Sequence, residues 1–566
     1  MGRALTPAST LDSLRKDAKR WLRALRAGDP EARRRLLAAV PEAPAAPGLR
    51  DVQLALAREY GLPGWGALRR ALDDLALERR PRAERVEIVL RSAWQGDLAA
   101  ATRILTRWPE LGRHDLFTAA VTGDLAAVRR RLAADPAAAT AKGGPHGWEP
   151  LLYLAYARLP GGERHGPEIA RLLLDHGADA RAQFDDGWGN PFTVLTGVIG
   201  EGEGDKAPHP EAREIAVLLI ERGADPYDSQ ALYNTSITRD ETGWLDFLWD
   251  HSAEHGRLEK WREVPAQGIG GTVRLNALDY LLGNAVAFDH PRRAEWLLTH
   301  GARADGVHAY SQRPLREEAL ICGHTAIAEL LERHGAPALP LAGQAAFQAA
   351  CMRLDRETAA ALAARHPEVL QNAEPMLTAA RSGRADVVAL LLELGMPVDV
   401  WDETEQRGLH NAVLGDSLEV VRLLVAHGAD IDRPTTRVGG GAMGFAAHFG
   451  RREIADFLAP LSRDVPELTY LGRKERLAVL FAEDPSLVNA RHPRWGSTPL
   501  FALPDHEDEA AEMTAFLLAH GADPAIRNKE GRTAEEVARR RGLVDAADLM
   551  RGLASHRDVV AGNPWW

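Results

Sequence analysis

The sequence predicts an all-α solenoid of stacked helix pairs with a separate helical cap at its N-terminal end. Three observations lead there. The 566-residue chain is too long for one compact core. One helix ending recurs, as "LLLDHGADA", "LLIERGADP", "LLTHGARA", "LLVAHGADI" and "FLLAHGADP". The recurrences are also evenly spaced. Gly395 and Gly428 lie 33 residues apart and Gly301 and Gly335 lie 34 apart, while Gly383, Asp416 and Gly450 step by 33 and 34. A period in that range marks a stacked repeat protein.

Residues 1–80 stand outside the period. "LRKDAKRWLRALRAGDPEARRRLLAAV" reads as an amphipathic helix interrupted at Gly28-Asp29-Pro30, and "RDVQLALAREYGLPGWGALRRAL" as two helices around a Gly-Leu-Pro-Gly turn. Residues 11–40 hold nine Lys/Arg against four Asp/Glu, which reads as a solvated basic face. Residues 81–340 are expected to be degenerate repeats with insertions and an irregular segment near 228–274. Residues 341–566 are expected to be regular repeats with a C-terminal capping repeat and a short tail, "GNPWW".

Within a repeat, a first helix is lined with alanine (Ala379, Ala380, Ala412, Ala446, Ala447), so neighbouring units can pack closely. Pro150, Pro191, Pro375 and Pro499 stand at its expected entry, where a missing N–H costs nothing. In the second helix Leu418, Val421 and Val425 share one stripe, and Val420 and Leu424 the adjoining one. Asp416 or Ser417 can cap its start. Gly428 ends it, where φ > 0 disfavours any Cβ. His176, His300, His334, His427 and His520 each directly precede the terminating glycine, where a helix C-terminus favours a polar donor. These histidines are read as structural.

This pattern resembles the ankyrin repeat. "STPLFAL" at 497–503 matches the family's Thr-Pro-Leu-His-x-Ala signature without its His. "RGLHNAV" keeps the His as His410 and replaces Thr-Pro with Arg407-Gly408. "GRTAEEVARRRG" looks like a closing repeat with a polar outer face. The resemblance is strong over 374–458 and 496–553, clear over 116–226, and weak over 227–274. Shortened units such as "AAVTGDLAAVRRRLAADP" keep the helix pair but have an eroded hairpin finger.

Several function classes are disfavoured. A net charge of -11 argues against general nucleic-acid or anionic-membrane binding. No apolar run approaches the ~18 residues of a membrane span, and the cytoplasm is the expected compartment. Cys322 and Cys351, in Ala-rich helical text, are expected to be buried free thiols. "RVGGGAMG" at 437–444 lacks the Lys and the buried strand of a phosphate loop. "HSAEH", His251 to His255, is literally H-x-x-E-H and resembles the site of one metallopeptidase class, with Glu254 as base. That class adds a downstream Glu, and Glu332 has the spacing. Yet Glu332 ends a helix of a later repeat, too far along a stack to share ~2 Å contacts with one ion. No metal, cofactor or catalytic residue is therefore expected.

What remains is surface. An ankyrin resemblance implies partner binding through fingertips and the groove beside the helices. Trp148, Trp188, Trp401 and Trp495 sit in or beside expected fingers and are the candidate anchors for a partner protein. Trp21, Trp108 and Trp296 fall on helical stripes and are expected in the core. The expected function is a non-catalytic interaction scaffold. Its rivals are a zinc-dependent hydrolase using His251, Glu254 and His255, and a peptide or small-molecule sensor built around 227–274.

Overall fold

A computed structural model describes residues 3–561 except 7–8, 10, 95, 161–164, 186–190, 201, 203–206, 237–238, 265–271, 436–439 and 493–494. The chain is an all-α repeat protein. Among the described residues the one sheet is an antiparallel pair, β1 (Gln183–Asp185) and β2 (Pro191–Thr193), with Phe184 opposite Phe192. The chain divides into two compact units: residues 1–303 with 309–312, and residues 304–308 with 313–566. The division falls within residues 304–312.

The first unit opens with four helices: α1 (Leu11–Arg26), α2 (Pro30–Ala39), α3 (Leu49–Glu59) and α4 (Trp65–Arg79). The expected break holds. Gly28 takes a φ of +77°, and the Asp29 carboxylate accepts from the Glu31 and Ala32 N–H groups to start α2. Trp21, Leu36, Leu56 and Leu68 share a core belonging to this module alone. Arg35 lies over the Trp21 ring at 3.7 Å and pairs with Glu59. The module is thus more than a lid over apolar surface.

Helix pairs follow. In the first unit they include Leu116–Thr122 with Leu125–Ala134, Pro150–Tyr156 with Gly166–Asp175, Ser229–Asn234 with Gly243–Glu254, and Ala277–Ala287 with Pro291–Thr299. The irregular segment near 228–274 therefore still holds two successive helices. The second unit runs from Leu315–Cys322 with Thr325–Arg333 to Ala534–Arg540 with Val544–Ala561. First helices of successive repeats lie side by side within each unit. Small residues permit this: a Cβ on Gly197 would stand 2.4 Å from the Tyr156 ring.

The helix Leu418–Ala426 shows how one repeat is built. Ser417, not Asp416, is its cap, accepting from the Val420 N–H at 3.4 Å. Asp416 instead takes the left-handed turn at φ +55°, the place Gly383 and Gly450 hold in adjacent repeats. Val420, Val421 and Leu424 are fully buried, each worth about 1.5–3 kcal/mol of transfer free energy. Gly428 ends the helix at φ +86°. His427 donates Nδ1–H to the Leu423 carbonyl at 2.8 Å, and His176, His300 and His520 do the same one turn back in their own helices.

In four repeats the second helix is followed by a single 3₁₀ turn started by proline, at Pro109–Arg113, Pro136–Thr140, Pro367–Gln371 and Pro485–Asn489. After the first and third of these the next repeat's helix follows directly, whereas the finger expected to be eroded after Pro136–Thr140 is formed, at 143–148. Two of these turns are capped by the preceding aspartate, Asp135 or Asp484. The closing repeat carries a reciprocal cap, with Thr533 accepting from the Glu536 N–H and Glu536 from the Thr533 N–H.

Three expectations need correction. Pro191 begins β2 rather than a helix, and Thr193 caps the helix that starts at Val194. Trp108 and Trp296 are half-buried, not core. Arg85 covers Trp108 at 4.1 Å. Trp296 donates Nε1–H to Asp246 at 2.7 Å and stacks on His300 at 3.8 Å. Neither cysteine forms a disulfide; Cys351 is buried, which pushes its thiol up to about 12, while Cys322 is half-buried. Among the described residues no helix is long and apolar enough to cross a membrane.

Candidate functional site

Fingers are the short hairpins between repeats. Backbone bridges mark them at Gly143–Trp148, Val307–Pro314, Trp401–Arg407 and Arg527–Thr533, together with β1–β2. Each is built locally. At 143–148 the Tyr153 hydroxyl donates to the Gly143 carbonyl at 3.1 Å and accepts from the His146 N–H at 3.2 Å. At 401–407 the Asp402 carboxylate accepts from the Thr404 and Gln406 N–H groups, both at 2.9 Å.

The four candidate tryptophans meet different fates. Trp401 is 60% exposed, with the Arg407 guanidinium 5.5 Å from its ring. Trp495 is 55% exposed; its carbonyl accepts from the Lys529 N–H at 3.0 Å, tying its turn to the next finger. Trp188 lies outside the described residues. Trp148 is 5% exposed, so it is no projecting anchor. Its ring stacks on His146 at 4.5 Å and meets Phe184 of the next finger at 4.4 Å. Trp94, Tyr156 and Phe192 complete this cluster. No repeat motif marks Trp94; the local density of aromatic residues is the sequence signal that points to it.

Trp94, Trp148 and Phe184 wall a cavity of about 800 Å³, with Lys142, Glu149 and Arg181 at its polar side. Burial raises the Glu149 carboxyl above the usual range, offset in part by Lys142. Burial likewise lowers His146.

His410 anchors the Trp401 finger. It is buried, accepts at Nδ1 from the Arg407 N–H at 3.3 Å, and bonds through Nε2 to the Arg433 carbonyl at 3.1 Å. Only the neutral ring with its proton on Nε2 does both. Burial and neighbouring Arg407 lower it to about 4. One imidazole thus joins two successive repeats.

His251, Glu254 and His255 do come together. Their ligand atoms all lie within 4.8 Å of one another, at the end of helix Gly243–Glu254. Glu332 accepts from Arg316 Nε at 2.5 Å within the other unit.

The family of ankyrin repeats matches residues 346–435 and 376–469. Residues 346–469 are ankyrin repeats. These include the Trp401 finger and the His410 bridge. Comparison with curated proteins finds no match. Among solved structures, one chain from the Bdellovibrio bacteriovorus predatory endopeptidase in complex with an immunity protein aligns at 24% identity. The alignment covers 31% of this chain and 96% of that one, with a TM-score of 0.25, and carries no argument about function.

Proposed function

We propose that this chain is a non-catalytic interaction scaffold that holds a partner protein along the finger edge of its second unit. Trp401 and Trp495 are its anchors. The observation that carries the reading is the exposure of Trp401 on a finger of the ankyrin repeats, braced by Arg407. Large aromatic rings and arginine are the side chains that most often dominate binding energy at protein interfaces. A rigid hairpin presents the ring without a large ordering cost. Trp188, in the first unit, is proposed as a separate anchor from its sequence position alone. Trp148 no longer does.

The test is a paired affinity purification with wild type and a Trp401→Ala/Trp495→Ala variant as bait, both checked for native helicity by circular dichroism. A protein retained by wild type and lost by the folded variant supports the reading and supplies the partner. Identical recoveries from both baits would sink it.

A further inference from the structure

Six histidines stand at the last turn of a repeat's second helix, just before a glycine of positive φ: His176, His255, His300, His334, His427 and His520. The residue one turn back is Leu, Trp, Leu, Leu or Phe in five of them. It is another histidine, His251, only in front of His255, and Glu254 lies between. A stop signal needs neither.

The local geometry favours a ligand. His255 bonds through Nδ1 to the His251 carbonyl at 2.8 Å, the structural contact its counterparts make. That contact places the proton on Nδ1 and leaves the Nε2 lone pair outward, the way second-shell carbonyls orient metal-binding imidazoles. The His251 and His255 rings lie 4.1 Å apart between centroids, tilted by 30°. The Glu254 carboxylate completes a set of donor atoms within 4.8 Å of one another. Ligands about 2.0–2.1 Å from one ion stand closer than that, so small side-chain rotations would close the set. Glu254 and His255 are solvent-exposed, which leaves room for water in the remaining positions.

The helix end beneath is fixed. Ser252, next to His251, donates to the Leu248 carbonyl at 2.7 Å and accepts from the Tyr227 hydroxyl at 2.9 Å and from Trp261 Nε1 at 3.0 Å. Trp261 is fully buried. The two imidazoles therefore project from a turn whose register is locked.

We propose that His251, Glu254 and His255 form a binding site for one divalent transition-metal ion of the zinc class. Two imidazoles and a carboxylate suit zinc, cobalt, nickel or copper better than calcium or magnesium. The missing downstream glutamate, which disfavoured a hydrolase, does not count against a bound ion that performs no hydrolysis. The ion would clamp two successive turns of the helix in the least regular repeat of the first unit.

The test uses the full chain after chelator treatment. Cobalt is titrated in and followed by its visible absorption, and zinc is then measured by competition with a chromophoric chelator. Wild type is expected to take up one equivalent and to melt at higher temperature with zinc. His255→Ala and Glu254→Gln both alter exposed positions, which keeps the test usable should His251→Ala misfold. Each is expected to weaken binding by roughly tenfold or more. His427→Ala, a stop-signal histidine without a neighbour, is expected to bind as wild type does. The proposal is overturned if wild type takes up no ion, or if folded His255→Ala binds as tightly as wild type.

Discussion

The fingers at 143–148 and 401–407 carry a tryptophan in the same kind of bridge, and one ring is buried while the other stands in solvent. Neither hairpin causes the difference. The next finger does. After Trp148 the following hairpin supplies Phe184 and Phe192, and Trp94 closes the cluster from the preceding repeat. After Trp401 the following segment, residues 432–441, contains no aromatic side chain. Whether a fingertip is glue or bait is decided one repeat away.

The largest expected effect breaks this comparison directly. Trp148→Ala should destabilise the chain by about 3–5 kcal/mol, as truncating a buried aromatic does. Trp401→Ala should cost no more than about 0.5–1 kcal/mol, the value of an exposed cation–π contact. Denaturant melts of the two variants measure both. Equal losses would show that Trp401 is also structural.

A middle-sized effect concerns the anchor of the exposed finger. His410 is neutral in the folded chain and lowered to about 4, against 6.5 for an ordinary imidazole. Below the ordinary value the unfolded chain binds a proton that the folded chain refuses. Its contribution is therefore complete above pH 6.5 and is lost as pH falls toward 4. His410→Ala should lower stability at neutral pH by about 1–3 kcal/mol, since it leaves buried backbone groups unpaired. It should also flatten the stability curve between those two pH values. Melting temperatures across that window test it, and a variant as acid-sensitive as wild type would refute the assignment.

The smallest effect sharpens the picture of the turns. Leu354 takes a φ of +58° in an exposed turn, where repeats before and after use Gly323 and Gly383. Leu354→Gly should stabilise by up to about 1 kcal/mol, because the left-handed penalty of a Cβ outweighs the added chain entropy. A lower melting temperature would show that the leucine packs better than its exposure indicates.

Legibility followed the range of the interactions. Helix ends were readable because a His-Gly pair acts within its own last turn, as at His427 and Gly428. The Gly28-Asp29-Pro30 break was readable for the same reason. Pro191 was misread because a proline that can open a helix can equally open an edge strand. Trp108 and Trp296 were placed in the core by their helical stripe, yet Arg85 and Asp246, far along the chain, hold them at the surface. Trp148 was misjudged because Phe184 is 36 positions away. The three donors of "HSAEH" were legible as a motif; their closeness required the folded helix.

The histidine stop signal has a consequence for how such a chain changes over generations. Each helix that ends in this signal carries its own terminator within its own last turn, so a block of one period is self-contained text. Duplicating or deleting it leaves every other terminator intact. Fingers are different, since burial of one depends on its successor. A lineage can therefore lengthen or shorten this array with little penalty, while each such event reassigns which rings are hidden and which are offered.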